Sequence, residues 1–242
     1  MTEELFREDA YLKSCEATVT AVGETGIVLD RTVFYPTGGG QPGDSGTLTR
    51  ADGTAVRIVE ARKGDGGVVH LPAEGAPALA VGDRVTATLD WDRRYRHMRV
   101  HTALHVMCSQ VVGGVTGGQI GDGKGRLDFD LEPENVPDKD ALTEHLNGLI
   151  AADHPITISW ITDDELTGNP DLVRTMSVKP PMGAGRVRMI RIGEDVDYQP
   201  CGGTHLKSLG EIGRVAITKI ENKGKQNRRL NVVLRDGRRR WR

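Results

Sequence analysis

Two short segments, far apart along the chain, carry side chains that bind metals. HTALH occupies residues 101–105, and PCGGTH occupies residues 200–205. His101 and His105 are four residues apart, so a helix would aim both imidazoles at one point. Cys201 and His205 flank two glycines, which permit unusual backbone angles and close approach to a ligand. If both pairs bind one ion, the chain must return to the helix that carries the first pair.

The four side chains together would form a set of three imidazoles and one thiolate, which suits zinc. An HxxxH pair alone is also typical of surface or core histidines. Cys108 follows His105 by three residues and is a rival ligand, but its apolar neighbours favour a small buried side chain. Cys15 has the same interpretation. The remaining histidines have no partner at a suitable spacing and are expected to be surface or packing residues: His70, His97, His145 and His154.

Composition limits the class of protein. The chain has 242 residues, of which 37% are hydrophobic and 27% charged, which is ordinary for a globular protein. No apolar run approaches the ~20 residues of a membrane helix, and the polar, acidic start does not resemble a secretory signal. Three scattered cysteines cannot form a disulfide framework. These features predict a cytoplasmic protein without a membrane partner.

The pattern of apolar residues predicts two domains of an α+β protein. Residues 1–91 alternate short apolar runs with Gly, Pro and Asp turns, which indicates a small β-barrel or sandwich. Residues 92–242 predict an α+β domain with a mostly antiparallel sheet. Its first helix is expected to start at the cap Asp92 and stop at Gly113–Gly114, followed by a turn-rich loop over 115–125. A second helix follows the cap Asp138, with one apolar face: Leu142, Leu146, Leu149 and Ile150.

A glycine-rich run, FYPTGGGQPGDSG, occupies residues 34–46. It contains a GxGxxG spacing, but Pro42 interrupts it and no helix follows, which excludes a dinucleotide-binding turn. A β-turn is the simplest interpretation. Because consecutive glycines are costly to order, we also interpret Gly38, Gly39 and Gly40 as a loop that approaches or shapes a ligand.

Positive charge is concentrated at the C-terminal end. From Arg214 onward there are eleven Lys and Arg residues against two acidic ones, an excess of nine positive charges. The segment GRVAITKIENKGKQNRRLNVVLRD alternates apolar and polar residues around NKGKQNRR, which predicts a β-hairpin with a basic tip. Basic strands indicate a surface for a polyanion, and nucleic acid is the polyanion we expect.

Taken in order, these motifs resemble those of the free-standing alanyl-tRNA editing proteins. The resemblance rests on FYPTGGGQPGDSG, HTALH, PCGGTH and GEIGRVAITKIENKGKQNRR, and it covers nearly the whole chain. It implies the medium-length version of this family, which is related to the editing domain of alanyl-tRNA synthetase. The implied activity is zinc-dependent hydrolysis of the ester in tRNA(Ala) mischarged with serine or glycine.

The resemblance also implies roles for particular residues. His101, His105, Cys201 and His205 match the zinc ligands of the family, and Gly38, Gly39 and Gly40 match its glycine-rich motif near the editing pocket. Thr116 and Gln119 are candidates to hydrogen-bond the serine hydroxyl or the amino group of the substrate. The residues expected to contact tRNA lie in the basic hairpin: Lys223, Lys225, Arg228 and Arg229.

Two other functions stay open at this point. A general zinc-dependent esterase for small molecules would share the ligand set, but it would have no use for the basic C-terminal segment. A non-catalytic RNA-binding module would share the basic hairpin, with zinc in a purely structural role.

Overall fold

The structure is a computed structural model that describes residues 2–176 and 185–235. The chain divides into two compact units, residues 1–96 and 97–242. This division lies a few residues after the boundary at 91/92 that we expected from the sequence. Within the described ranges, no helix combines the length and the apolar character needed to cross a bilayer.

The first unit is built almost entirely from strands. They are β1 (Glu3–Glu4), β2 (Ser14–Gly23), β3 (Gly26–Leu29), β4 (Arg31–Thr32), β5 (Gly46–Arg50), β6 (Ala55–Gly64), β7 (Gly67–Pro72) and β8 (Arg84–Leu89), with a 3-10 turn at Leu5–Arg7. Six of them close an antiparallel barrel in the order β2-β3-β7-β6-β5-β8. Alternate side chains fill the barrel, among them the fully buried Leu48, Val56 and Ile58. The predicted barrel-like fold is therefore confirmed.

A buried ion pair ties the loops of this unit together. Arg94, which is fully buried, donates through Nε to both oxygens of Asp44 at 3.0 Å. Its two terminal nitrogens donate to the carbonyls of Ala10 and Val33. Because a buried guanidinium is tolerated only when its donors are satisfied, this network makes Arg94 part of the barrel's structure.

The second unit mixes helices with two antiparallel sheets. Its helices are α1 (Trp91–Gln110, which begins in the first unit), α2 (Lys139–Ala151) and α3 (Asp163–Gly168); short 3-10 turns cover Pro133–Asn135, Pro170–Leu172 and Leu209–Ile212. Its strands are β9 (Gly114–Ile120), β10 (Lys124–Asp130), β11 (Ile156–Thr162), β12 (Arg186–Ile192), β13 (Asp197–Pro200), β14 (Val215–Asn222) and β15 (Asn227–Leu234). One sheet has the order β14-β15-β10-β9 and the other β11-β12-β13. These elements confirm the predicted α+β class.

The ends of the helices differ in part from the prediction. Asp138 caps α2, accepting hydrogen bonds from the amides of residues 140 and 141, as expected. Helix α1 starts earlier, so Asp92 lies in its first turn and does not cap it. It also ends at Gln110, before the predicted stop at Gly113–Gly114. On α2, Leu142, Leu146 and Ile150 are buried, whereas Leu149 is half-buried.

The predicted turn-rich loop over 115–125 was wrong for most of its length. Residues 114–120 form β9, which pairs with β10, and only the short connection between the two strands is a turn. Hydrogen bonds to β10 along one edge hold β9 extended, and its buried Val115 and Ile120 add packing that local glycine content did not reveal. The predicted basic hairpin is present as β14 and β15 up to Leu234, while residues 236–242 lie outside the described ones.

Candidate metal centre

Helix α1 supplies two of the four potential ligands. His101 and His105 are one helical turn apart, and the centroids of their rings are 5.2 Å apart. Both residues are 8% exposed. Apolar residues of the same helix, including Val100, Leu104 and Met107, are buried as well. Burial of α1 therefore holds both imidazoles in place away from solvent.

The loop after β13 supplies the other two. Cys201 directly follows the strand, and its amide donates to the Arg188 carbonyl at 3.1 Å, which extends the ladder between β12 and β13. The Arg188 guanidinium donates back to the carbonyls of Cys201 and Gly203 at 2.8 and 3.0 Å. Arg188 is 3% exposed. A buried arginine thus holds the backbone of the PCGG segment in one conformation.

The two pairs meet in the fold. One donor atom from each of His101, His105, Cys201 and His205 can be chosen so that all lie within 4.8 Å of one another. The Cys201 sulfur is 3.6 Å from Nε2 of His101 and 3.3 Å from Nε2 of His205. Zn–N and Zn–S bonds in a tetrahedral site place neighbouring ligand atoms ~3.5 Å apart. The donor set and its spacing therefore fit a metal such as zinc.

Charges around the group favour a cation. Burial raises the pKa of Cys201, but the adjacent imidazoles of His101, His205 and His105 outweigh it and hold that pKa well below its usual value. Burial lowers the pKa of His105, but the Cys201 thiolate and the Asp197 carboxylate raise it to about 10. The pKa of His205 is lowered well below its ordinary value by burial and by His101. Metals bind the thiolate and the neutral imidazole, so a bound cation would replace the proton that this raised pKa keeps on His105.

Surrounding residues orient the ligands. Nδ1 of His105 donates to Oδ2 of Asp197 at 2.9 Å, which leaves its Nε2 free to face the group. Asp197 in turn accepts from the Gln199 amide at 2.9 and 2.8 Å. Nδ1 of His205 is 3.3 Å from the Thr102 hydroxyl, which also accepts from the Leu206 amide. Such partners of metal-binding histidines fix the ring orientation and raise the basicity of the ligand.

Sequence reasoning did not find these supporting residues. Asp197 and Gln199 are two apart on a strand, so both face one side of the sheet, directly before PCGG. That spacing was visible in the sequence, but only the fold shows that this side faces His105. The role of Arg188 could not be predicted from the sequence either, because it depends on the pairing between β12 and β13.

The other cysteines agree with their predicted roles as packing residues. Cys108 is 4% exposed, and burial raises the pKa of its thiol. Cys15 is half-buried against the barrel core, and burial raises its pKa too. His70 is fully buried in the barrel, where it is hydrogen-bonded to Thr32 and to the carbonyl of Ile27.

Two of the predicted substrate-binding residues lie on β9. The Thr116 hydroxyl donates to Oδ1 of Asn227 at 3.4 Å, across β10. Gln119 accepts from Nε of Arg126 at 3.3 Å and lines a groove of about 520 Å³ with residues such as Lys219 and Asn231. None of the four potential metal ligands lines that groove. The roles of Thr116 and Gln119 stay predictions.

The glycine-rich loop belongs to the first unit and forms a tight turn. The backbones of Gly38 and Gln41 exchange hydrogen bonds at 3.0 and 2.9 Å. Between them, Gly39 and Gly40 have φ values of 56° and 81°, as a type I′ turn requires. The Tyr35 hydroxyl also donates to the Gly38 carbonyl at 2.8 Å. The turn accounts for two of the three glycines, and their role in substrate binding stays a prediction.

The predicted tRNA contacts lie at and beside the tip of the β14–β15 hairpin. Lys223 and Lys225 occupy the turn, with Nζ of Lys223 3.3 Å from Glu221. Arg228 braces the turn by donating to Asn222 and to the Gly224 carbonyl.

Arg229 differs from the other three basic residues. Its guanidinium pairs with both oxygens of Asp128 on β10, at 2.8 and 2.9 Å. Part of its charge is therefore already matched within the sheet.

Comparison with known proteins places the chain among tRNA-related families. Residues 187–231 match the family described as the threonyl and alanyl tRNA synthetase second additional domain. Residues 7–93 match the family of class II (A) tRNA synthetases. Cys201 and His205 lie within the first match, whereas His101 and His105 lie outside both matches.

Similar proteins extend the match to the whole chain. The alanyl-tRNA editing protein AlaX-M of Methanosarcina acetivorans is 40% identical over 249 aligned residues, which cover 98% of this chain and 100% of that protein. The AlaX-M protein of Pyrococcus horikoshii is 33% identical, with 97% and 98% of the two chains covered. An alanine–tRNA ligase of Pyrobaculum aerophilum is 35% identical over 91% of this chain but only 25% of its own length. The chain belongs to the AlaX-M family of alanyl-tRNA editing proteins.

Proposed function

We propose that this protein is a hydrolase that removes a wrong amino acid, serine or glycine, from mischarged tRNA(Ala). The observation that carries the proposal is the buried group of three histidines and one cysteine in a chain that matches AlaX-M proteins from end to end. The bond broken is the ester between the amino acid and the terminal ribose. Water supplies the oxygen, and the products are the free amino acid and uncharged tRNA.

Zinc is the metal we propose for the site, held by His101, His105, Cys201 and His205. The imidazole and thiolate donors and their spacing support this choice over Mg²⁺ or Ca²⁺, which prefer oxygen ligands. When bound, zinc polarises an ester carbonyl, lowers the pKa of water or orients the substrate.

Two residues outside the ligand set orient the potential ligands around the reacting ester. Asp197 holds the His105 ring, and Arg188 holds the backbone of Cys201 and Gly203. The three histidines are at most 8% exposed, whereas Cys201 and Gly202 are half-buried. We infer that the substrate enters from the side of Cys201 and Gly202, where there is no side chain at residue 202 to obstruct it.

The chemistry of small side chains explains the need for a separate hydrolase. A binding pocket for alanine cannot strongly reject serine, which adds only a hydroxyl, or glycine, which is smaller. A second site that hydrolyses the wrong ester corrects the error. In this second site Thr116 is our candidate to recognise serine, with Gln119 and the Gly38–Gly40 turn as further candidates.

The tRNA part of the substrate is assigned to the basic hairpin. Lys223, Lys225 and Arg228 cluster at its tip, and Arg229 follows on β15. Contacts from Lys and Arg side chains to phosphates carry no sequence information, so this surface would hold the tRNA backbone.

Hydrolysis of matched esters tests the proposal. The purified protein is incubated with Ser-tRNA(Ala), Gly-tRNA(Ala) and Ala-tRNA(Ala), and loss of each ester is followed beside a small alanine or serine ester. We expect hydrolysis of the seryl or glycyl tRNA, slow hydrolysis of the alanyl tRNA, and none in His105→Ala. Equal hydrolysis of the small ester would indicate a general esterase. Binding of tRNA without any ester loss would indicate a non-catalytic module.

A further inference from the structure

One face of the β11-β12-β13 sheet carries the residues that support the metal centre. Asp197 and Gln199 project from β13, and they lie beside Ile192 and Ile190 of β12 in the antiparallel register. Because side chains alternate along a strand, Arg188 of β12 lies on this same face. We call it the ligand-side face.

The ligand-side face continues onto the edge strand β11. Trp160 is directly opposite Arg188, and Thr162 is opposite Arg186. The guanidinium of Arg186 lies over the Trp160 ring, 4.5 Å from its centroid, so both side chains project from the same face. Trp160, Arg188 and Cys201 therefore stand in one row across three strands, since the Cys201 amide bonds to the Arg188 carbonyl.

This row places Trp160 close to the metal centre. Neighbouring strands are ~4.8 Å apart, so the backbone of Trp160 is about 10 Å from that of Cys201. Cys201 is the most exposed of the four potential ligands. At that distance, one nucleoside would span the gap between the tryptophan ring and an ester held beside Cys201.

The edge of this face is open to solvent. Trp160 is half-buried, Arg186 is exposed and Ile158, two residues before Trp160, is 38% exposed. The opposite face of the sheet differs, although it carries a similar pair. There the guanidinium of Arg191 is 3.9 Å from the centroid of the Tyr198 ring, and Tyr198 packs against a core cluster that contains Leu166 and Met189.

A half-buried indole at the open edge of a sheet, beside an exposed guanidinium, suits single-stranded RNA. A nucleobase stacks on an aromatic ring irrespective of its sequence, and an arginine attracts the neighbouring phosphate. We propose that Trp160 and Arg186 bind the single-stranded 3′ end of the tRNA, with the terminal base against Trp160 and a phosphate near Arg186. This inference rests on the proposed function, because a tRNA substrate brings its 3′ end to the metal centre.

Binding of uncharged tRNA(Ala), intact or lacking its three 3′-terminal nucleotides, tests the inference. We expect the wild-type protein to bind the intact tRNA more tightly than the shortened one. Trp160→Ala should weaken binding of the intact tRNA about tenfold and leave binding of the shortened tRNA unchanged. Trp160→Phe should retain most of the difference, because it keeps an aromatic ring. Arg186→Gln should lower the slope of log affinity against log salt by about one for the intact tRNA only.

Arg191→Gln is the matched control, since it removes a similarly stacked guanidinium from the opposite face of the same sheet. Its affinity for both tRNAs should equal that of the wild type. If Trp160→Ala weakens both tRNAs equally, or neither, the 3′ end does not lie on this face. An equal effect of Arg191→Gln and Arg186→Gln would overturn the inference as well. Thermal unfolding and metal content show whether Trp160→Ala is misfolded. If it is, the results for Trp160→Phe and Arg186→Gln decide whether the 3′ end binds this face.

These outcomes are separate from those of the hydrolysis experiment. Binding of uncharged tRNA requires no ester and no turnover. A protein that hydrolyses Ser-tRNA(Ala) but does not distinguish the two uncharged tRNAs would retain the proposed function and lose this inference.

Discussion

Nδ1 of His105 lies 2.9 Å from Oδ2 of Asp197, and this contact joins α1 to β13. Both side chains are at most 9% exposed. The contact fixes which ring nitrogen of His105 faces the other potential ligands. Asp197 therefore acts on the metal through a histidine, as a positioning residue.

Replacement of Asp197 by Asn should weaken metal binding. The amide has the shape of the carboxylate but no charge, so it supports the His105 tautomer less well, and we expect ~10–100-fold lower zinc affinity. Competition with a chelator of known affinity measures this change. Asp128→Asn, which removes a buried carboxylate from the other sheet, is the control and should keep its zinc affinity. Equal affinities in Asp197→Asn and the wild type would contradict the role of Asp197.

The two cysteines of the second unit, Cys108 and Cys201, should behave differently. We expect about one zinc per chain, and Cys201→Ala should lower the metal content and abolish deacylation because one ligand is lost. Cys108→Ala should keep the metal and the activity while lowering the free energy of unfolding by about 1 kcal/mol, since it removes only a packed side chain. Elemental analysis and chemical unfolding measure both effects. Loss of metal in Cys108→Ala but not in Cys201→Ala would reverse the assignment.

Selectivity should depend on the Thr116 hydroxyl. A pocket that hydrogen-bonds serine leaves its own polar group unpaired when alanine enters. Thr116→Val keeps the shape of the side chain, so we expect about tenfold slower hydrolysis of Ser-tRNA(Ala) and little change with Ala-tRNA(Ala). Thr218→Val, at an exposed position on β14, is the control. An equal loss on both substrates would mean that Thr116 supports the sheet through Asn227.

The hairpin tip should determine the salt dependence of tRNA binding. Lys223→Gln with Lys225→Gln should weaken binding and lower the slope of log affinity against log salt by up to about two, one for each lost phosphate contact. Arg228→Gln should act in the same direction. Arg229→Gln also breaks the ion pair with Asp128, so its effect should include a loss of stability. Unchanged slopes in the lysine variants would place the tRNA backbone elsewhere.

The barrel unit should lose stability in mild acid because of His70. Burial lowers the pKa of His70 to about 4, although a hydrogen bond to the Ile27 carbonyl partly opposes this shift. An unfolded histidine titrates near 6.5, so between about pH 6.5 and 4 the unfolded state binds a proton that the folded state does not. The free energy of unfolding should therefore decrease as the pH is lowered through this window, by about 3 kcal/mol in total.

Urea unfolding at several pH values measures this slope. His70→Leu removes the titrating group, so its stability should change less with pH across the same window, whatever its absolute value at pH 7. Parallel curves for the two proteins would show that His70 does not cause the acid sensitivity.

Local patterns in the sequence are enough to identify the residue types that can hold a metal and the local structure that presents them. The spacing of His101 and His105 needs only the helical repeat, and Asp138 caps its helix through contacts within one turn. Alternation of apolar residues likewise predicted the barrel and the basic hairpin, because it depends on neighbours along the chain.

Which distant segments meet depends on tertiary contacts. The glycines in residues 115–120 predict turns, yet pairing with β10 makes this segment a strand. Asp197, Arg188 and Trp160 acquire their significance only from strand register, since a shift of one residue would turn each to the other face of its sheet. Register depends on packing and hydrogen bonds between distant segments, and local sequence patterns do not contain that information.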